Sequence, residues 1–207
     1  MRENVFFGIL VILLVFNFFS CGDDSNENKE FTVTFDLDGG NINGNTTFIE
    51  IIVKSGEIIT NFPEPLKING YLNGWFTGKN GVGNEFTITT KILSNQIVYA
   101  KWINPFIGEW KQYIIYSNNN VFDQGFKLVF FEDMTFIIYQ DNAPFFKGTY
   151  SFIGSEFQFT FTQSMASGND VWGEDNGIQE WSYIIIYDNK IELYENGIDI
   201  PVIWEKI

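Results

Sequence analysis

Histidine is absent from the 207 residues, and cysteine occurs once, at position 21. These two shortages remove the commonest general base, the paired nucleophiles that depend on it, and the usual transition-metal ligand sets. Basic residues are also scarce, with 12 Lys and Arg against 26 Asp and Glu and a formal net charge of −14. A surface of that sign repels phosphate backbones, so nucleic acid is excluded as a partner. Cationic partners and divalent ions stay open. The imbalance lies mostly in one half: residues 31–105 hold five Lys against six acidic residues, and residues 106–207 hold five Lys against fifteen. The second half therefore carries about −10 of the total. Helical periodicity is missing as well. Short runs of Ile, Val, Phe, Tyr and Thr are punctuated by Gly, Asn and Asp throughout, which predicts an all-β chain.

Only one long apolar run exists, the uncharged stretch from Val5 to Phe16, which Asn17 interrupts. A spanning helix needs roughly 20 apolar residues, so this run reads as the core of a signal peptide over residues 1–20. It ends in Phe18-Phe19-Ser20-Cys21-Gly22, which resembles the lipobox of bacterial lipoproteins. Ser20 supplies the small residue before the cysteine; Phe18 and Phe19 stand where the motif usually has Leu and a small residue. The resemblance implies cleavage before Cys21 and acylation of Cys21 with palmitate-class chains. It places the protein on a membrane through that lipid, in the cell envelope, at the outer membrane or cell surface. Two or three acyl chains anchor stably, because each buried CH₂ contributes about 0.8 kcal/mol. Residues 21–30 have no large apolar side chain and read as a flexible acidic tether. Asp23 and Asp24 resemble the acidic surface-export tract of such lipoproteins.

Residues 31–103 form the first folded segment. Phe31–Leu37 alternates apolar with polar residues and meets Asp38-Gly39-Gly40, so it is a strand running into a turn. Phe48–Lys54 is a second strand; Pro63 and Pro65 then enforce an irregular crossover. Gly74-Trp75-Phe76 and Ile97–Trp102 supply the last apolar segments. The ordered pieces VTFDLDGG (33–40), KSGE (54–57), PEP (63–65), GYLNGWFT (70–77) and VYAKW (98–102) resemble the Listeria-Bacteroides repeat of internalin-type surface proteins. That resemblance implies a small β-grasp-like module, present here as one copy. Trp75, Phe76 and Trp102 are expected in its core rather than on an exposed aromatic platform.

Asn104-Pro105 leaves almost no slack before the second segment, residues 106–207, so the two should sit close together. Eight strands are expected there: 108–116, 125–131, 135–140, 145–152, 156–162, 181–187, 190–194 and 201–204. Turns fall at 132–133, 141–142, 153–155, 188–189 and 195–197. Eight hairpin-linked strands favour an up-and-down antiparallel barrel, which removes exposed edges by closing on itself. Phe157, Phe159 and Phe161 alternate with polar residues and must point inward. The opening Gly108-Glu109-Trp110, the phrases FFEDMTF (130–136) and GTYSF (148–152), and the closing Ile203-Trp204-Glu205-Lys206 resemble the lipocalin-like domains of bacterial lipoproteins. Of the chain's 38 aromatic residues, 23 lie in this segment, enough to predict a barrel filled by side chains and without a deep cavity. Trp110, Phe130, Phe136, Tyr150 and Phe159 are expected among the buried ones.

Residues 163–180 interrupt the strands and carry Asp170, Glu174, Asp175 and Glu180 around Trp172. They supply oxygen ligands for calcium but not the spacing of an EF-hand, and read as a solvated acidic loop. No catalytic, cofactor-binding or metal-binding residue is expected, and no enzymatic activity. The leading expectation is a surface lipoprotein that binds a protein or glycan, on the analogy of the first module. The alternative is a periplasm-facing lipocalin-like carrier or inhibitor holding a small apolar ligand.

Overall fold

The computed structural model describes residues 29–115, 121–165, 172–187, 189–195 and 202–207. The expected signal peptide, Cys21 and nearly all of the tether lie outside them. So do Asp170, Asp188 and the turn residues after Glu195.

Two sheets account for the fold, as the all-β reading anticipates. The first is built on β1 (Glu30–Asp36), where Phe31, Val33 and Phe35 point into one core while Thr32, Thr34 and Asp36 do not. β1 pairs antiparallel with β2 (Phe48–Lys54) and parallel with β5 (Gln96–Ile103). β3 (Tyr71–Phe76) and the two-residue β4 (Glu85–Phe86) complete the order β2-β1-β5-β3-β4. Parallel neighbours need a long crossover. Here it is the irregular stretch around Pro63 and Pro65, not a helix, followed by the β3–β4 hairpin. A 3-10 turn spans Lys79–Gly81.

Trp75 is buried at the centre of this core, edge-on to Phe35 at 4.9 Å between ring centroids. Trp102 packs at its margin and donates its indole N–H to the Leu37 carbonyl at 3.1 Å. Phe76 departs from the core expectation: being next to Trp75 on a strand it points to the other face. There it pairs with Tyr99 and lies under the Lys101 ammonium, 5.2 Å from its ring centroid.

The second sheet is a closed, eight-stranded antiparallel barrel. Its staves are β6 (Gly108–Ile115), β7 (Val121–Phe130), β8 (Thr135–Gln140), β9 (Ala143–Ile153), β10 (Glu156–Met165), β12 (Ile178–Tyr187), β13 (Lys190–Glu195) and β14 (Val202–Lys206). Each pairs with the next, and β14 pairs back onto β6. The short β11 (Trp172–Glu174) adds to the far end of β10, where β12 no longer reaches. This hairpin replaces part of the loop expected over 163–180, and β10 and β12 are each three residues longer at that end than their sequence patterns suggest.

Closure depends on β9 and β10 lying close. Gly148 faces Phe161 in register, and a Cβ on it would stand 2.0 Å from the Thr160 carbonyl oxygen. No other residue fits without moving one strand. The register slips by one residue just beyond, between Phe161 and Gln163, which bends β10 as bulges do.

Inside, Trp110, Phe130, Phe136, Tyr150 and Phe159 are all buried, as are Phe157 and Phe161. Phe159 sits 4.6 Å from Phe136 and 4.8 Å from Phe157 in edge-to-face geometry. Phe106, just before β6, plugs the lower end of the barrel, 4.6 Å from Phe157 and 4.9 Å from Phe152. Its carbonyl accepts the Trp110 indole N–H. At this same end the first sheet docks: Asn69 donates its backbone N–H to the Phe152 carbonyl at 2.7 Å, and its Oδ1 accepts the Phe152 N–H at 3.0 Å. Asn104, between the sheets, donates from Nδ2 to the Tyr150 hydroxyl at 2.8 Å, and that hydroxyl donates to the Phe131 carbonyl at 3.0 Å.

Phe159→Ala is expected to lower unfolding free energy by about 3 to 5 kcal/mol, the range for a large aromatic lost from a core; a chemical denaturation midpoint measures it. Tyr150 gives a pH test. Burial pushes its phenol above the ordinary value of about 10, outweighing the opposing Asn104 hydrogen bond. The folded state thus favours the protonated phenol; this contribution is complete below about pH 10 and is lost as pH rises through the raised value. Unfolding free energy should accordingly fall more steeply between pH 9 and pH 11 in the wild type than in Tyr150→Phe.

Candidate ligand cavity at the upper end of the barrel

The filled-barrel expectation holds at the lower end and fails at the upper one. Phe106, Phe130, Tyr150, Phe152 and Phe157 meet across the lower half and leave no space. Above Phe159 and Trp204 the barrel is hollow, with a half-enclosed cavity of about 520 Å³. The reason is the size of the inward residues. Gln112, Ile138, Leu193 and Val202 occupy the upper inward positions of β6, β8, β13 and β14, and none of them spans a barrel of this strand number. Among the described residues, no segment plugs the upper end as Phe106 plugs the lower.

Buried Leu128, Phe159, Leu193 and Trp204 form the floor of this cavity. Phe126, Phe146, Phe161 and Trp181 wall it, and the polar groups that reach it are Gln112, Asp175 and Gln179. Asp175 is held by local bonds: its N–H donates to the Thr162 carbonyl at 3.0 Å, and its Oδ1 accepts the Gly177 N–H at 3.0 Å. The indole N–H groups of Trp181 and Trp204 are sealed in the wall without an acceptor. The Trp204 indole lies among aromatic rings, 5.3 Å from Phe130 and 5.7 Å from Phe157, which offer its N–H only the weak acceptor of a π face.

The outer wall carries several polar pairs. Lys111 pairs with Asp123 at 2.6 Å and Lys127 with Glu109 at 3.3 Å, on the faces of β6 and β7 that point away from the core. Mutual bonding raises the Lys111 pKa and lowers that of Asp123. Gln158 donates to Glu180 at 2.9 Å across β10 and β12.

The structure separates the carboxylates of residues 163–180 that it describes. Asp175 faces the cavity, Glu180 lies on the outer wall with Gln158, and Glu174 is exposed on β11. Among the described residues no group of three or more His, Cys, Asp or Glu is placed to hold a metal ion. Cys21 lies outside the described residues. Sequence reading missed the cavity altogether. One signal was present: Gln112 follows Trp110 by two residues on β6, a polar side chain at an inward position of a strand.

Residues 31–101 match the family model of the Listeria-Bacteroides repeat domain, about a third of the chain. No curated protein matches the chain, and no solved structure does. A repeat domain of that family followed by a closed barrel fits a binding or surface role in general.

Proposed function

We propose that this chain is an envelope lipoprotein, anchored through Cys21, whose barrel binds a small and mostly apolar molecule. The observation that carries the reading is the upper cavity. At about 520 Å³ it lies within the roughly 300 to 1,000 Å³ usual for small-molecule sites, and it shares their apolar lining with a few polar groups. Its floor belongs to the rigid aromatic core, so the site is preformed. The carrier alternative thereby moves ahead of a protein or glycan partner for the first module. For that second reading the supporting feature is the outer face of the first sheet, where exposed Ile52 and Ile97 flank Thr32 and Thr34. The reading assigns no catalytic role.

Two measurements test the proposal. N-phenyl-1-naphthylamine, an uncharged fluorescent probe, is expected to bind the full chain at one site, with changed emission from Trp181 and Trp204 in the cavity wall. Ile138→Trp, which fills the cavity, should abolish that binding. A probe that does not bind, or binds the variant equally, overturns the cavity reading and leaves the first sheet's outer face as the candidate surface. For the anchor, the wild type should incorporate labelled palmitate and partition into detergent, and Cys21→Ala should do neither. Absence of label from the wild type refutes the lipoprotein reading.

A further inference from the structure

The cavity has a chemical preference that its apolar lining alone does not convey. Among the described residues that line it, Asp175 is the only charged one; Gln112 and Gln179 are neutral. A ligand carboxylate placed there would be an anion taken out of water, with a like charge nearby and no cation to pair with it, which is strongly unfavourable.

The lysines of the barrel half cannot supply the missing cation. There are five of them in residues 106–207, and no Arg. Lys111 is bound to Asp123 and Lys127 to Glu109, both on the outer wall. Lys206 lies over the Trp110 ring near the lower end, and Lys190 opens β13 at that end. Lys147 alternates on β9 with Phe146, which lines the cavity, and Gly148, which faces β10. The sealed indole N–H groups of Trp181 and Trp204 have almost no accessible surface, so they offer a ligand anion no bond.

We propose, building on the cavity reading above, that the barrel selects apolar molecules whose polar end donates a hydrogen bond and is cationic or uncharged, an alkylamine or an alcohol, and rejects fatty-acid anions. Asp175 sets this preference. It lines the apolar space, its Oδ1 accepts the Gly177 N–H beside the Phe161 ring, and the roughly −10 charge of the surrounding segment acts in the same direction.

The test is displacement of N-phenyl-1-naphthylamine from the full chain at pH 8 by dodecylamine, dodecanol and dodecanoate, which share one hydrocarbon chain and differ in the head. Dodecylamine and dodecanol are expected to displace the probe at concentrations at least tenfold below dodecanoate. Asp175→Asn retains an Oδ1 acceptor for Gly177 and removes the charge. It should shrink the gap between amine and carboxylate severalfold, with dodecanol, which carries no charge, shifting less than either. Equal or tighter binding of dodecanoate overturns the selectivity, as does a gap unaltered in Asp175→Asn, or failure of all three to displace a bound probe. In each of those cases the cavity reading stands. Failure of the probe itself to bind removes both.

Discussion

The barrel rests on one repeated contact, the meeting of large aromatic rings from opposite staves at every inward level of its lower half. Phe157, Phe159 and Phe161 on β10 form the spine of that stack. Phe136 from β8, Phe130 from β7 and Trp204 from β14 close on it at 4.6 to 6.0 Å, edge-to-face or tilted except for Phe130, which stacks on Phe159. Each such pair adds about 0.5 to 1.5 kcal/mol beyond the area buried. The stack also sets a width. Staves that share one set of rings must stand at a fixed separation, and Gly148 permits the close approach of β9 to β10 that this separation requires.

The same constraint explains the cavity. Rings filling the lower half hold the staves apart along the whole barrel, because strands joined by continuous hydrogen-bonded ladders cannot converge a few residues higher. On β6, β8, β13 and β14 the inward residues shrink to Gln112, Ile138, Leu193 and Val202 while the wall keeps its radius, and the cavity opens there. A rigid floor beneath a half-enclosed apolar space is thus a by-product of aromatic packing. Docking of the first sheet occurs at the opposite end, through Asn69 and Asn104, and leaves the cavity end clear of it.

Much of the architecture was legible before the structure. Period-two alternation placed β1, β2, β8 and the inward Phe residues of β10 correctly, since side-chain direction in a strand follows parity alone. The ends of strands were less legible. β10 runs on to Met165 because a partner, β11, exists for it, and nothing local in Gln163-Ser164-Met165 announces that partner. Phe76 was misassigned to the core for a related reason. Its neighbour Trp75 was correctly placed, and two adjacent aromatic residues on one strand cannot share a face. Gln112 was the one local clue to the cavity, a polar residue in an inward series.

By itself, the sequence determined that the chain is built from strands, that the 23 aromatic residues of its second half are too many for all to face solvent, and that no imidazole or paired thiol is available for chemistry. These follow from composition and parity, which need no knowledge of what lies across the core. Only the tertiary structure decided how the aromatic residues are distributed along the barrel axis. Filling is a property of residues from strands far apart in the chain, such as Leu193 and Phe126, which line the same cavity, and their levels depend on register and stagger. For the same reason only the fold could bring Asp175 to the edge of an apolar space with no lysine of that half among the described residues that line it.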